Sequence, residues 1–148
     1  MSEKYIINSD LPGIILLSHG TMCRGMMESA DMIVGGVDNN VYAFPFLSGD
    51  DFTAYADEVL DLYFKLPEGS IILFDLFGGT PFNQVIMACA RMEKMIHGMC
   101  GYSLPVLVEA ISQRDTYKGD ELIEQLKTAG EVNLVDVNKY LSTLIQSN

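Results

Sequence analysis

Apolar and polar positions alternate along the chain in blocks whose period switches between strand and helix. Ile14 to Leu17 is an unbroken apolar run between Pro12-Gly13 and Ser18-His19-Gly20, the signature of a strand buried on both faces. From Met22 to Val34 the apolar residues Met22, Met26, Ala30 and Ile33 recur at helical spacing, and Gly35-Gly36 ends the helix. Val41 to Phe46 reads as a second strand. Asp50-Asp51 opens a helix through Leu66, with Phe52, Ala56, Val59, Leu60 and Tyr63 on one face. After the turn Pro67-Glu68-Gly69, Ser70 to Asp75 forms a third strand, and Pro81 to about Lys94 a helix. A short fourth strand is expected from about Met95 to Met99, and helices over Leu104 to Ser112 and Glu121 to Ala129. Val132, Leu134, Val135 and Val137 suggest one more strand before a final helix.

Strands that alternate with helices predict an α/β fold: a doubly wound, mostly parallel sheet with helices on both faces. Crossovers in such sheets are right-handed, and ligands bind beyond the carboxyl ends of the strands. There is no internal repeat, linker or low-complexity tract, so the 148 residues form a single domain.

Composition narrows the function. No apolar run reaches the roughly 18–20 residues that cross a bilayer, and the N-terminus lacks the pattern of a secretory signal. Nine Lys and Arg against 20 Asp and Glu give a net charge of −11, which argues against nucleic acid and anionic membranes as partners. A phosphate group would have to be held by a local cradle. Cys23, Cys89 and Cys100 have no metal-type spacing and read as buried, reduced thiols of a cytoplasmic protein. Met22, Met26, Met27 and Met32 read as core filling, and Arg24 as an exposed arginine.

Two strand ends carry candidate chemistry. The first strand ends in Ser18-His19-Gly20; the third ends in Asp75, followed by Leu76, Phe77, Gly78, Gly79, Thr80 and Pro81. If the two strands are neighbours, His19 and Asp75 meet although far apart in sequence. Thr80 suits a helix N-cap and Pro81 the first helical position. The glycines allow positive φ and bring backbone N–H groups toward an anion, which the helix dipole also favours. A neutral imidazole is a nucleophile near pH 7, and a carboxylate on its other nitrogen fixes the tautomer. The plain alternatives are a solvated histidine, an ordinary Gly-Gly turn and a strand-end cap. His97 reads as structural.

GIILLSHGTMCRGMMESADMIVG and SIILFDLFGGTPFNQV closely resemble the IIA component of the mannose family of the bacterial phosphoenolpyruvate:sugar phosphotransferase system. The segment from Gly101 through LPVLVEA resembles a further family motif. The resemblance implies that His19 accepts a phosphoryl group from phospho-HPr and passes it to a IIB component, which serves the membrane components IIC and IID. It implies that Asp75 orients the histidine and that Leu76, Gly78, Gly79 and Thr80 bind the phosphate. It also implies a homodimer, no metal or organic cofactor, and a final antiparallel edge strand exchanged between subunits. Residues 1–12 form an extension ahead of a single IIA domain over 13–148. Ser103 stands where the family pattern has Asn, and Leu76-Phe77 replaces a polar residue followed by tryptophan.

Other readings carry different consequences. A relative that serves dihydroxyacetone kinase would send the phosphate to a kinase. A tetrapyrrole metal chelatase also has His-Gly after its first strand but needs a second histidine, for which only His97 is available. A non-catalytic binding domain of the same fold would use neither histidine as a nucleophile. The sugar is not legible in this chain.

Overall fold

The computed structural model describes residues 4–146; residues 1–3 of the N-terminal extension lie outside the described residues. Strand β1 (Ile14–His19) sits between β2 (Val41–Phe46) and β3 (Ile71–Phe74), and β3 pairs in turn with β4 (Gly98–Cys100). All three pairings are parallel, which places every carboxyl end at one edge of the sheet. The helices are α1 (Met22–Val34), α2 (Phe52–Tyr63), α3 (Thr80–Met92), α4 (Leu104–Gln113), α5 (Asp120–Val132) and α6 (Val137–Gln146).

The strand period of two sorts the apolar runs into two cores. Ile15, Leu17, Ile72 and Phe74 face Val59, Leu62 and Tyr63 of α2 and Val85 and Ala88 of α3. Ile14, Leu16, Ile71 and Leu73 face Cys23 and Ala30 of α1, Val106 and Leu107 of α4, and Leu122 and Leu126 of α5. The expected doubly wound architecture is therefore present. Each fully buried Leu, Ile or Phe stabilises it by roughly 1.5–3 kcal/mol.

Beyond shifts of a few residues at element ends, three differences from the sequence reading matter for the architecture. The first strand runs two residues further, through Ser18 and His19, because β2 continues alongside it as far as the His19–Phe46 pair. The fourth strand starts only at Gly98, where a Cβ would stand 2.7 Å from the Ile72 carbonyl oxygen. Glycine permits that close approach to β3.

The third difference is at the expected final antiparallel strand, which does not form within this chain. The helix α5 continues to Val132, and only a short connector precedes α6. The Leu134 N–H bonds to the Glu131 carbonyl and the Val135 N–H to the Asn133 carbonyl. These backbone donors close local turns instead of a ladder, and among the described residues no strand pairs with the segment. Its apolar side chains stay in solvent, with Leu134 85% exposed, and no described residue of α6 is buried.

From Lys4 on, the extension packs against β2. Tyr5 meets the Tyr42 ring edge-on at 5.7 Å, the Tyr42 hydroxyl donates to the Ile6 carbonyl at 2.8 Å, and Lys4 pairs with Glu58. At the amino edge of the sheet, the buried Arg114 guanidinium donates to the carbonyls of Pro12 and Asn40 at 3.4 Å and of Gly36 at 3.3 Å. Of the cysteines, Cys23 and Cys89 are buried, whereas Cys100 is half-buried; all three are free thiols that burial pushes to higher pKa.

Candidate functional site

Where β1 outlasts β3, the two strand ends meet. The ladder stops at the Leu17–Phe74 pair, and the Asp75 carboxylate turns back across the end of β1. One oxygen, Oδ2, accepts the His19 backbone N–H at 2.9 Å and contacts His19 Nδ1 at 2.8 Å. A carboxylate partner places the ring proton on Nδ1 and leaves Nε2 as the free, nucleophilic nitrogen. The Asp75 side chain is only 12% exposed, the His19 side chain 47%. The carboxylate is thus sheltered while the ring remains open to an incoming group.

The second carboxylate oxygen, Oδ1, is buried without a hydrogen-bond partner among the described residues. The groups around it do not donate to it. Tyr55 gives its hydroxyl to the Phe44 carbonyl and Tyr102 to the Leu17 carbonyl at 3.2 Å. Burial first, with the Asp75 charge among the smaller causes, pushes both tyrosines far above the usual phenol range, so they stay neutral. The Asp75 charge therefore rests on contacts with His19, and a positive charge developing on the imidazole would be stabilised there.

On the other side of the ring lies the loop from Leu76 to Thr80. Gly78 has φ of +80°, which only glycine adopts without strain. Gly79 is different. Its φ of −74° suits any residue, but a Cβ there would stand 2.6 Å from His19 Cε1 and 3.2 Å from Nε2. Gly79 is glycine because the imidazole occupies the space. Gly79, not Thr80, is the N-cap of α3; Thr80 is the first helical residue and makes no side-chain cap bond. Thr80 and Pro81 therefore stand one place further into the helix than the sequence reading put them. In the first turn of α3, Pro81 carries no N–H and the Gly79 N–H is bonded to the Leu76 carbonyl, which leaves those of Thr80 and Phe82 without an intrahelical acceptor. Leu76 and Phe77 form an exposed apolar rim beside it.

Sequence reasoning missed Asn83, whose side-chain amide donates to the Gly78 carbonyl at 2.9 Å and pins the loop to α3. Its trace in the sequence is a polar residue one turn beyond the glycine pair of the loop.

His97 is placed away from this site. It precedes β4, so it lies at the amino edge of the sheet, opposite His19. Its Nδ1 lies 2.7 Å from Asp120 Oδ1, but that carboxylate is 90% exposed, with Glu68 and Glu121 nearby. Lys118 lies among these acids, and no glycine loop of the kind beside His19 follows the histidine there. Nor does His97 supply the second histidine that a chelatase site at His19 requires. Among the described residues, no group of three or more His, Cys, Asp or Glu side chains could hold a metal ion.

The model of the family described as the fructose IIA component of the phosphotransferase system matches residues 13–127. The fructose-specific EIIA component of Bacillus subtilis is 28% identical over 137 residues, spanning 91% of this chain and 92% of that protein. A sorbose-specific EIIA component of Klebsiella pneumoniae is 29% identical, spanning 76% of this chain and 82% of its own length. The crystal structure of an EIIA component from Streptococcus agalactiae superposes with a TM-score of 0.76 at 26% identity, covering 87% of this chain and 99% of that one. With the fold, the paired strand ends and the glycine loop in place, the chain belongs to the mannose, fructose and sorbose family of IIA components, the phosphocarriers of the sugar phosphotransferase system.

Proposed function

We propose that His19 is the phosphoryl acceptor, taking the group from phospho-HPr on Nε2 and passing it to a IIB component. One observation carries this reading: Nδ1 is bound to a sheltered carboxylate while the ring lies against the backbone of Gly79, at the amino end of α3. In the forward step the Nε2 lone pair forms the new N–P bond as the donor's bond to phosphorus breaks and the donor keeps that electron pair. The Nδ1 proton stays toward Asp75, which stabilises the positive ring. Gly78 and Thr80 offer backbone N–H groups to the phosphoryl oxygens, while Gly79 lines the ring and its N–H closes the loop on the Leu76 carbonyl at 3.3 Å. The helix dipole adds up to about 2 kcal/mol for an anion in a favourable, partly buried setting. Transfer to the IIB component reverses these steps, and alignment with charge stabilisation is what phosphoryl transfer chiefly needs.

The relatives bear names specific for different sugars, consistent with selectivity residing in the membrane components IIC and IID. Nothing in the site favours a kinase as the acceptor. We assign residues 13–148 to one IIA domain preceded by the extension 1–12, acting in the cytoplasm. No helix among the described residues is long and apolar enough to cross a membrane. We also infer a homodimer. Strand β4 is an open sheet edge, and the uncovered apolar run from Val132 to Val137 can complete it when exchanged between two copies.

The test is transfer from phospho-HPr. The wild-type chain should take up one acid-labile, base-stable phosphoryl group, and His19→Ala none. Full labelling of His19→Ala would remove the assignment.

A further inference from the structure

Ser18 is fully buried beside His19, and its hydroxyl makes two bonds that bracket the turn carrying the histidine out of the sheet. It donates to the Gly20 carbonyl at 2.9 Å and accepts the Cys23 N–H at 2.9 Å. Cys23 is the second residue of α1, where an N–H has no intrahelical acceptor. Thr21, at the N-cap position, makes no side-chain cap bond. Ser18 therefore caps α1 from inside the strand. Gly20, held between the two bonded groups, has φ of +61° and anchors its own N–H on the Phe46 carbonyl at 2.8 Å.

This arrangement sets the histidine against a wall with no slack. The space that a Gly79 Cβ would need is already filled by the His19 ring. On its other nitrogen the ring is fixed by Asp75. The His19 backbone is held on one side by its N–H bond to Asp75 and on the other by the pairing with β2, and the Ser18 hydroxyl adds the tie from the end of β1 to the first turn of α1.

We propose that Ser18 is a positioning residue for phosphoryl transfer, its hydroxyl holding Nε2 of His19 in register with the glycine loop. The inference rests on the reading of His19 as the acceptor. The hydroxyl does not touch the reacting atoms. Its removal leaves the Gly20 carbonyl and the Cys23 N–H without their partner and releases the turn. Displacement of a reacting group by about 1 Å costs up to ~10²-fold in rate.

The experiment compares wild type, Ser18→Ala and Val59→Ala in steady-state transfer from phospho-HPr, with melting curves and histidine-ring ¹⁵N spectra of each. Val59 is buried in α2 and serves as a matched loss of stability. The expected result for Ser18→Ala is a kcat about tenfold lower with KM unchanged, and displaced His19 ring signals beside unshifted His97 signals. Val59→Ala should melt earlier yet keep its kcat. A wild-type kcat in Ser18→Ala, unshifted His19 signals, or an equal fall in Val59→Ala would overturn the positioning role. If the wild-type chain itself takes no phosphoryl group on His19, the reading of the acceptor fails first, and the Ser18 role with it.

Discussion

His19 lies between a carboxylate and a glycine, and each neighbour can be changed without moving the fold. Asp75→Asn keeps the shape of the side chain and an oxygen acceptor but removes the charge to which the proposed mechanism assigns stabilisation of a positive ring. Transfer should slow by roughly ten- to a thousandfold, the range of positioned proton-handling groups, with circular dichroism unchanged. Normal transfer by this variant would reduce Asp75 to a strand-end cap. Gly79→Ala is a sharper probe than substitution at a strained glycine, because alanine accepts a φ of −74° and only the added methyl collides with the ring. Phosphorylation should fall at least about tenfold while the melting temperature stays near wild type, since a displaced nucleophile loses rate steeply. Retention of the wild-type rate would show that the ring has room to yield. Thr80→Ala should matter less, since the Thr80 side chain makes no cap bond.

Among the elements, the alternation of strands and helices was legible because each is marked by its own period. The meeting of His19 with Asp75 was legible because parallel neighbours share an edge. Local polar bonds were less so. Thr80 suits an N-cap by residue type, but the extended backbone of Gly79 takes that place in the structure. The bonds of Asn83 and Ser18 depend on how loops fold back, which no periodicity encodes. The apolar residues from Val132 to Val137 misled for a physical reason: strand propensity needs a neighbouring strand, and within one chain the segment closes local turns instead. Arg114 gives a test of the opposite edge. Arg114→Ala leaves the carbonyls of Pro12, Gly36 and Asn40 without this donor and should cost about 1–3 kcal/mol in urea unfolding. Transfer at His19 should be unchanged. A matching loss of transfer would mean that the two edges of the sheet are coupled.

For the whole molecule, a net charge of −11 disfavours loose self-association, so any dimer must be held by specific burial. The exposed Leu134, Val135, Val137, Leu141 and Ile145 provide the apolar surface, and β4 provides an unpaired edge. Light scattering at micromolar concentration should report a dimer, and Val135→Asp with Val137→Asp should shift it toward monomer. A wild-type chain that is monomeric at that concentration would remove the exchanged segment from the picture.

The position of the phosphoryl group tests the site most directly. Phosphorus and nitrogen NMR of the chain after reaction with phosphoenolpyruvate, enzyme I and HPr distinguishes the two ring nitrogens and the two histidines. The carboxylate on Nδ1 and the ring's packing against Gly79 predict one phosphoryl group, on Nε2 of His19, with Nδ1 still protonated. A phosphoryl group on Nδ1 of His19, or on either nitrogen of His97, would contradict this mechanism.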